Sequence, residues 1–141
     1  MNRLLLWIAL LITVVVAALP VPDATAATIA EVVSENPVNW TPDVLNGQVE
    51  AIAQVGNRII IGGTFTQIED DAGVHDRARI AAFDATTGVV DPGFDPVLDG
   101  AVKAIVPAGD GTSVFVTGGF NTVDGVVERK VAKLDLATGA R

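Results

Sequence analysis

Few residues of this chain have the type and spacing to do chemistry, and the densest group is Glu69-Asp70-Asp71. Three neighbouring carboxylates with Asp76 nearby form a weak cation-binding pattern, since calcium takes about six to eight oxygen ligands. The same run suits a solvated loop tip, and the second half of the chain has only Asp124-Gly125 at the corresponding place. His75 is the only histidine and precedes Asp76. The two would be half of an acid–base pair, but no Ser or Cys nucleophile stands near them in sequence. Trp40 has the ring of a ligand-stacking residue, and Asn39-Trp40-Thr41 matches a glycosylation sequon. Gly62-Gly63-Thr64-Phe65 and Thr117-Gly118-Gly119-Phe120 carry paired glycines. A phosphate cradle needs a following helix and a Lys-Ser or Lys-Thr pair, and neither copy has them. The expectation is therefore no catalytic residue, no cofactor and a non-enzymatic protein.

The stronger signal lies in the elements around these residues, because the chain says nearly the same thing twice. Val49-Glu50-Ala51-Ile52 recurs as Val102-Lys103-Ala104-Ile105, and Ile59-Ile60-Ile61-Gly62-Gly63-Thr64-Phe65 as Val114-Phe115-Val116-Thr117-Gly118-Gly119-Phe120. Arg79-Ile80-Ala81-Ala82-Phe83-Asp84 recurs as Lys130-Val131-Ala132-Lys133-Leu134-Asp135, each followed by a Thr-Gly pair. A short tandem unit cannot bury its apolar face alone and needs stacked neighbours. The shared residues thus read as scaffold. Gly62, Gly63, Gly118 and Gly119 let strands approach and turn, while Phe65 and Phe120 fill gaps between units. Asp84 and Asp135 accept backbone N–H bonds across tight turns in which Gly88 and Gly139 take positive φ.

Turn signals and β-branched runs predict the strands. Asn46-Gly47 and Asp99-Gly100 are turns. Val49 to Val55 with Arg58 to Gly62 predicts a hairpin, as does Val102 to Val106 with Ser113 to Thr117. The loops between them are Gly56-Asn57 and the longer Gly109-Asp110-Gly111-Thr112. A third strand runs from Arg79 to Phe83 and from Lys130 to Leu134. The segments containing Trp40 and Phe94 are expected as the fourth strand of a sheet or as a bridge between sheets. Four short antiparallel strands per copy predict an all-β chain of propeller blades, an incomplete propeller of two repeats, 37–88 and 89–141. The second copy ends where a third would start.

At the N-terminus, Asn2-Arg3 precedes an uncharged apolar run from Leu4 to Leu19, followed by Pro20, Pro22 and Ala24-Thr25-Ala26. A positive start, a short apolar core and a small-residue site predict a helical signal peptide over 1–26, with 27–36 as leader. The run is shorter than the ~20 residues of a spanning helix, so an uncleaved anchor is the lesser alternative and the only expected membrane contact. The chain has a net charge of −8 and no cysteine. An acidic surface argues against nucleic acid and anionic membranes, and a secreted chain without cysteine must rely on packing.

The repeated residues resemble the delta-60 repeat, a β-propeller repeat of bacterial secreted and cell-surface proteins, over about Asn39 to Gly139. The Phe94-Asp95-Pro96 segment between the copies fits it too. The resemblance implies an extracellular propeller module and brings no catalytic residues with it. Only two copies are present, which leaves ring closure open. The Asp-x-x-Thr-Gly turns are also similar to those of quinoprotein propellers. Neither copy has their Trp after the Thr-Gly pair, so no quinone cofactor is implied. The expected function is a secreted binding or structural module at the cell surface or in the medium, engaging a protein or carbohydrate ligand through Gln67 to Asp76 and Asn121 to Glu128. Further blades or self-association are expected partners. The alternative is the N-terminal part of a larger extracellular propeller enzyme.

Overall fold

Runs of Val, Ile and Ala make strands here, buried on both faces at Ile60–Gly63 and Ile80–Phe83 and alternating in burial in the second copy, and Gly-rich pairs end them. A computed structural model describes residues 39–141 of the chain. The expected signal peptide and leader lie outside the described residues. Within them the fold is all-β, every sheet is antiparallel, and none closes on itself.

Each copy builds a three-stranded sheet. In the first copy β2 (Val49–Val55), β3 (Arg58–Gly63) and β6 (Ile80–Asp84) pair in the order β2-β3-β6. In the second, β7 (Val102–Pro107), β8 (Ser113–Gly118) and β11 (Val131–Asp135) pair as β7-β8-β11. Both first hairpins shift register at the same repeat position, between Val49 and Ala51 and between Val102 and Ala104. Gly56 is the only positive-φ residue of the first hairpin turn, at φ 59, the φ pattern of a type II′ turn matched to the strand twist.

A second, smaller layer accompanies each sheet. β4 (Gln67–Asp70) and β5 (Gly73–Asp76) form a hairpin, with β1 (Asp43–Val44) paired to β4. In the second copy β9 (Thr122–Val123) pairs with β10 (Val126–Val127), and Leu98 bridges to Val123 as Val44 pairs with Ile68. The β9–β10 turn is Asp124-Gly125, both with positive φ, the type I′ requirement.

This layer corrects two expectations. The Trp40 and Phe94 segments do not supply a fourth strand to the main sheets; they lead into the short strand or bridge that meets the small hairpin. At the fourth place of the first sheet there is only the Phe83–Val90 bridge. Gln67 to Asp76 and Asn121 to Glu128, expected as loops, form short hairpins, Gln67–Asp70 with Gly73–Asp76 and Thr122–Val123 with Val126–Val127. Strands of four and two residues are too short for a period to show in the sequence.

The two main sheets stack face to face around one core. Ile60, Ile80 and Ala82 of the first sheet meet Ile105, Val114, Val116, Ala132 and Leu134 of the second. Phe94, Leu98, Phe120 and Val123 seal the same core from the second copy's smaller layer. The opposite face of the first sheet packs Ile61, Ala81 and Phe83 with Phe65, Ile68 and Val90. Gly62 permits the stacking, since an ideal Cβ there would lie 2.5 Å from Val102 Cγ1 and 3.0 Å from Ile105 Cδ1.

Candidate functional site

The acidic run does not present three carboxylates to one point. Asp70 ends β4 with its side chain turned inward, 4% exposed. Its Oδ2 accepts the Val90 N–H at 2.8 Å, and its Oδ1 accepts the Ala72 N–H at 2.9 Å and lies 2.8 Å from His75 Nε2. Burial alone would raise the Asp70 carboxyl, but the N–H bonds from Val90 and Ala72 and the His75 ring outweigh it and hold the pKa down at about 2. Glu69 and Asp71 stay exposed. A recess of about 260 Å³ lies beside them, lined by Asn39, Trp40, Asp43, Glu69, Asp70 and Asp71 among others. Among the described residues no group of three His, Cys, Asp or Glu side chains could hold a metal ion. His75 is therefore directed to Asp70, across the hairpin, and not to its sequence neighbour Asp76, whose Oδ1 accepts from Gln67 Nε2 at 3.0 Å.

The scaffold residues take matching places in the two copies. Asp84 Oδ1 accepts the N–H groups of Thr86 and Thr87, both at 2.8 Å, and Asp135 Oδ1 accepts those of Ala137 and Thr138, both at 3.0 Å. The Thr86 and Thr87 N–H groups lead in pulling the Asp84 carboxyl below its ordinary range; at Asp135 the Thr138 hydroxyl leads. Gly88 and Gly139 close these turns at φ 75 and 72. A Cβ on Gly88 would overlap the Trp40 carbonyl, and one on Gly139 would lie 2.8 Å from Pro96 Cδ. Each Asp–Gly turn is thus packed under the opening segment of its own copy. Trp40 is half-buried there, with its ring edge at the Gly88 turn, while Asn39 of the sequon is exposed.

Asn46 and Asp99 anchor the smaller layers. Asn46 Oδ1 accepts the Thr66 N–H at 2.7 Å, and Asp99 Oδ1 accepts the N–H groups of Asn121 and Thr122 at 2.7 and 2.9 Å. Sequence reading assigned 46 and 99 to turns only; their aligned Asn and Asp carried the signal for the extra role. Gly63 and Gly118 admit carbonyls of Gln48 and Ala101 where a Cβ would sit. Phe65 and Phe120 are fully buried.

One cationic feature escaped sequence reading. Arg77 is buried, donates from Nη1 to the Asp76 carbonyl at 2.7 Å and from Nη2 to the Asp91 carbonyl at 3.3 Å, and lies 3.7 Å from Asp95. It lines an open recess of about 420 Å³ with Arg79, Thr66, Gln67 and Asp95. Arg77 ties the end of the first copy to the segment that starts the second; Glu128 stands at its place in the second copy. Arg79 and Lys130, at one repeat position, hold φ 74 and 71, and their carbonyls accept from Gly63 and Gly118.

No family model matches this chain, and neither a curated protein nor a solved structure matches it.

Proposed function

We propose that residues 39–141 are two consecutive propeller-type blades of a secreted, non-enzymatic module with a binding or structural role at the cell surface or in the medium. The observation that carries this reading is the like-oriented stacking of the two repeat sheets, with a small hairpin beside each. Stacked repeats of this kind present matched edges and hairpins as an extended recognition surface. The ligand surface in this reading is β4–β5, where exposed Val74 pairs across from Glu69, and β9–β10, where Val126 and Val127 are exposed. The acidic charge disfavours nucleic acid and suits a protein or carbohydrate ligand outside the cell.

The experiment has two readouts. Expression of the full chain in a bacterium should place the protein in the medium or on the surface with its N-terminus at Ala27; recovery from the cytosol, uncleaved, would overturn the extracellular reading. Immobilised protein should retain a defined glycan or extracellular protein, and Val127→Asp with Val74→Asp should abolish retention. Undiminished binding by that variant would remove the hairpins from the role.

A further inference from the structure

The stacked sheets bury unlike faces. The first sheet contributes the face of Ala53, Ile60 and Ala82, and the second contributes the face of Ile105, Val116 and Ala132. In repeat terms the second sheet's buried face corresponds to Ile52, Ile61 and Ala81 of the first. The first sheet's buried face corresponds to Val106, Phe115 and Lys133 of the second. The second sheet therefore shows the outside a face of the first kind, while on the first sheet Ile61 and Ala81 are covered by Phe65, Ile68 and Val90 and the β2 edge, Val49 and Ile52, stays open.

Burial follows this arrangement. Ile105 is 8% exposed and its repeat partner Ile52 is 67%; Val102 is 0% and Val49 is 45%. On the far side of the second sheet, Val106, Phe115 and Val131 are 56%, 44% and 55% exposed. We infer that a second copy of this chain docks head-to-tail, the Val49–Ile52 edge of one copy against the Val106–Phe115–Val131 face of the other. The inference rests on the blade reading above. Such a heterologous contact repeats until it closes a ring or runs on.

Charge fits the same junction. Glu50 Oε2 lies 2.5 Å from Lys103 Nζ across the internal contact, and 50 and 103 are one repeat position. Head-to-tail docking brings the Lys103 position of one copy to the Glu50 position of the next, so unlike charges meet again. Two residues make the external junction looser than the internal one. Thr117 stands where Gly62 admits Val102, and Lys133 stands where Ala82 lies flat. Lys133 Nζ is held 3.0 Å from Asp110 in the β7–β8 loop, which draws its charge to the sheet's end.

The test is complementation by sedimentation of the full chain purified after export. Wild type should sediment as an oligomer. Ile52→Glu and Phe115→Glu, both at exposed positions, should each be monomeric, and an equal mixture should form a one-to-one dimer, because each variant keeps the face the other lacks. Thr117→Gly with Lys133→Ala, which copies the internal face, should lower the dissociation constant about tenfold, a 1.4 kcal/mol change. A monomeric wild type, a mixture that stays monomeric, or self-association of Ile52→Glu alone through the Phe115 face would each overturn the inference. Ile52→Ser and Phe115→Ser replace the charged pair if circular dichroism shows either unfolded. A monomer that keeps the internal Val102–Gly62 contact by NMR would refute docking and leave the blade reading standing.

Discussion

Gly62→Ala probes the contact on which the stacking depends. The added methyl would sit 2.5 Å from Val102 Cγ1, 2.9 Å from Val102 Cβ and 3.0 Å from Ile105 Cδ1. Overpacking a filled core costs about 1–3 kcal/mol. Against this, Ala in place of Gly within a strand returns roughly 0.5–1 kcal/mol of backbone entropy. Gly62 has no positive φ, so no conformational strain enters. The expected net loss is about 1–2 kcal/mol, read as a lower urea midpoint at unchanged slope and a melting temperature lower by ~4–8 °C per kcal/mol. The closest obstruction is Val102 Cγ1, so Val102→Ala should relieve most of the clash while leaving the 2.9 Å contact with its Cβ. In that background Gly62→Ala should cost clearly less, a coupling of about 1 kcal/mol, within the range for touching residues. Gly62→Ala that stabilises the wild type, or costs the same in both backgrounds, would refute the argument.

Other substitutions test other joints. Gly88→Ala, which meets the Trp40 carbonyl at positive φ, should destabilise far more than Gly109→Ala, which has positive φ but open space around it; thermal melts of the two compare crowding plus backbone strain with strain alone, worth about 1–2 kcal/mol. Phe120→Ala empties a fully buried ring site between the copies and should cost about 3–5 kcal/mol in urea unfolding. Asp70 has a depressed pKa in the folded state, so its contribution is complete above the unfolded value near 3.8 and is lost as pH falls towards about 2. The stability gap between wild type and Asp70→Asn should therefore be wide at neutral pH and vanish at the acid end; a constant gap would contradict the assigned bonds. Because both Asp70 oxygens are engaged, millimolar calcium should leave the melting temperature unchanged.

What was legible in the sequence is what local chemistry sets. The β-branched runs and the Gly56-Asn57 turn placed β2 at its observed ends and β3, β7 and β8 to within a residue, since alternation and turn residues act on their own neighbourhood. The third strands were placed one residue early, because Arg79 and Lys130 adopt positive φ and pairing starts after them. The small hairpins were missed: β9 and β10 are two residues each, too short for any period, and their stability comes from the distant Asp99 and Leu98. The acidic run was visible as charge, but Asp70 departs from Glu69 and Asp71 through the Ala72 N–H of its own turn and through Val90 and His75, contacts made by folding. Arg77 gave no signal because its partners, the Asp91 carbonyl and Asp95, belong to the next copy.

The stacking of the repeat sheets is tested most directly by nuclear Overhauser spectroscopy on methyl-labelled protein. The methyls of Val102 and Ile105 should give strong cross-peaks to the Gly62 α-protons, while the equivalent methyls of Val49 and Ile52 give none to Thr117 within the same chain. Val102 and Ile105 methyls that show no contact with Gly62 would contradict the stacked arrangement and the blade reading with it.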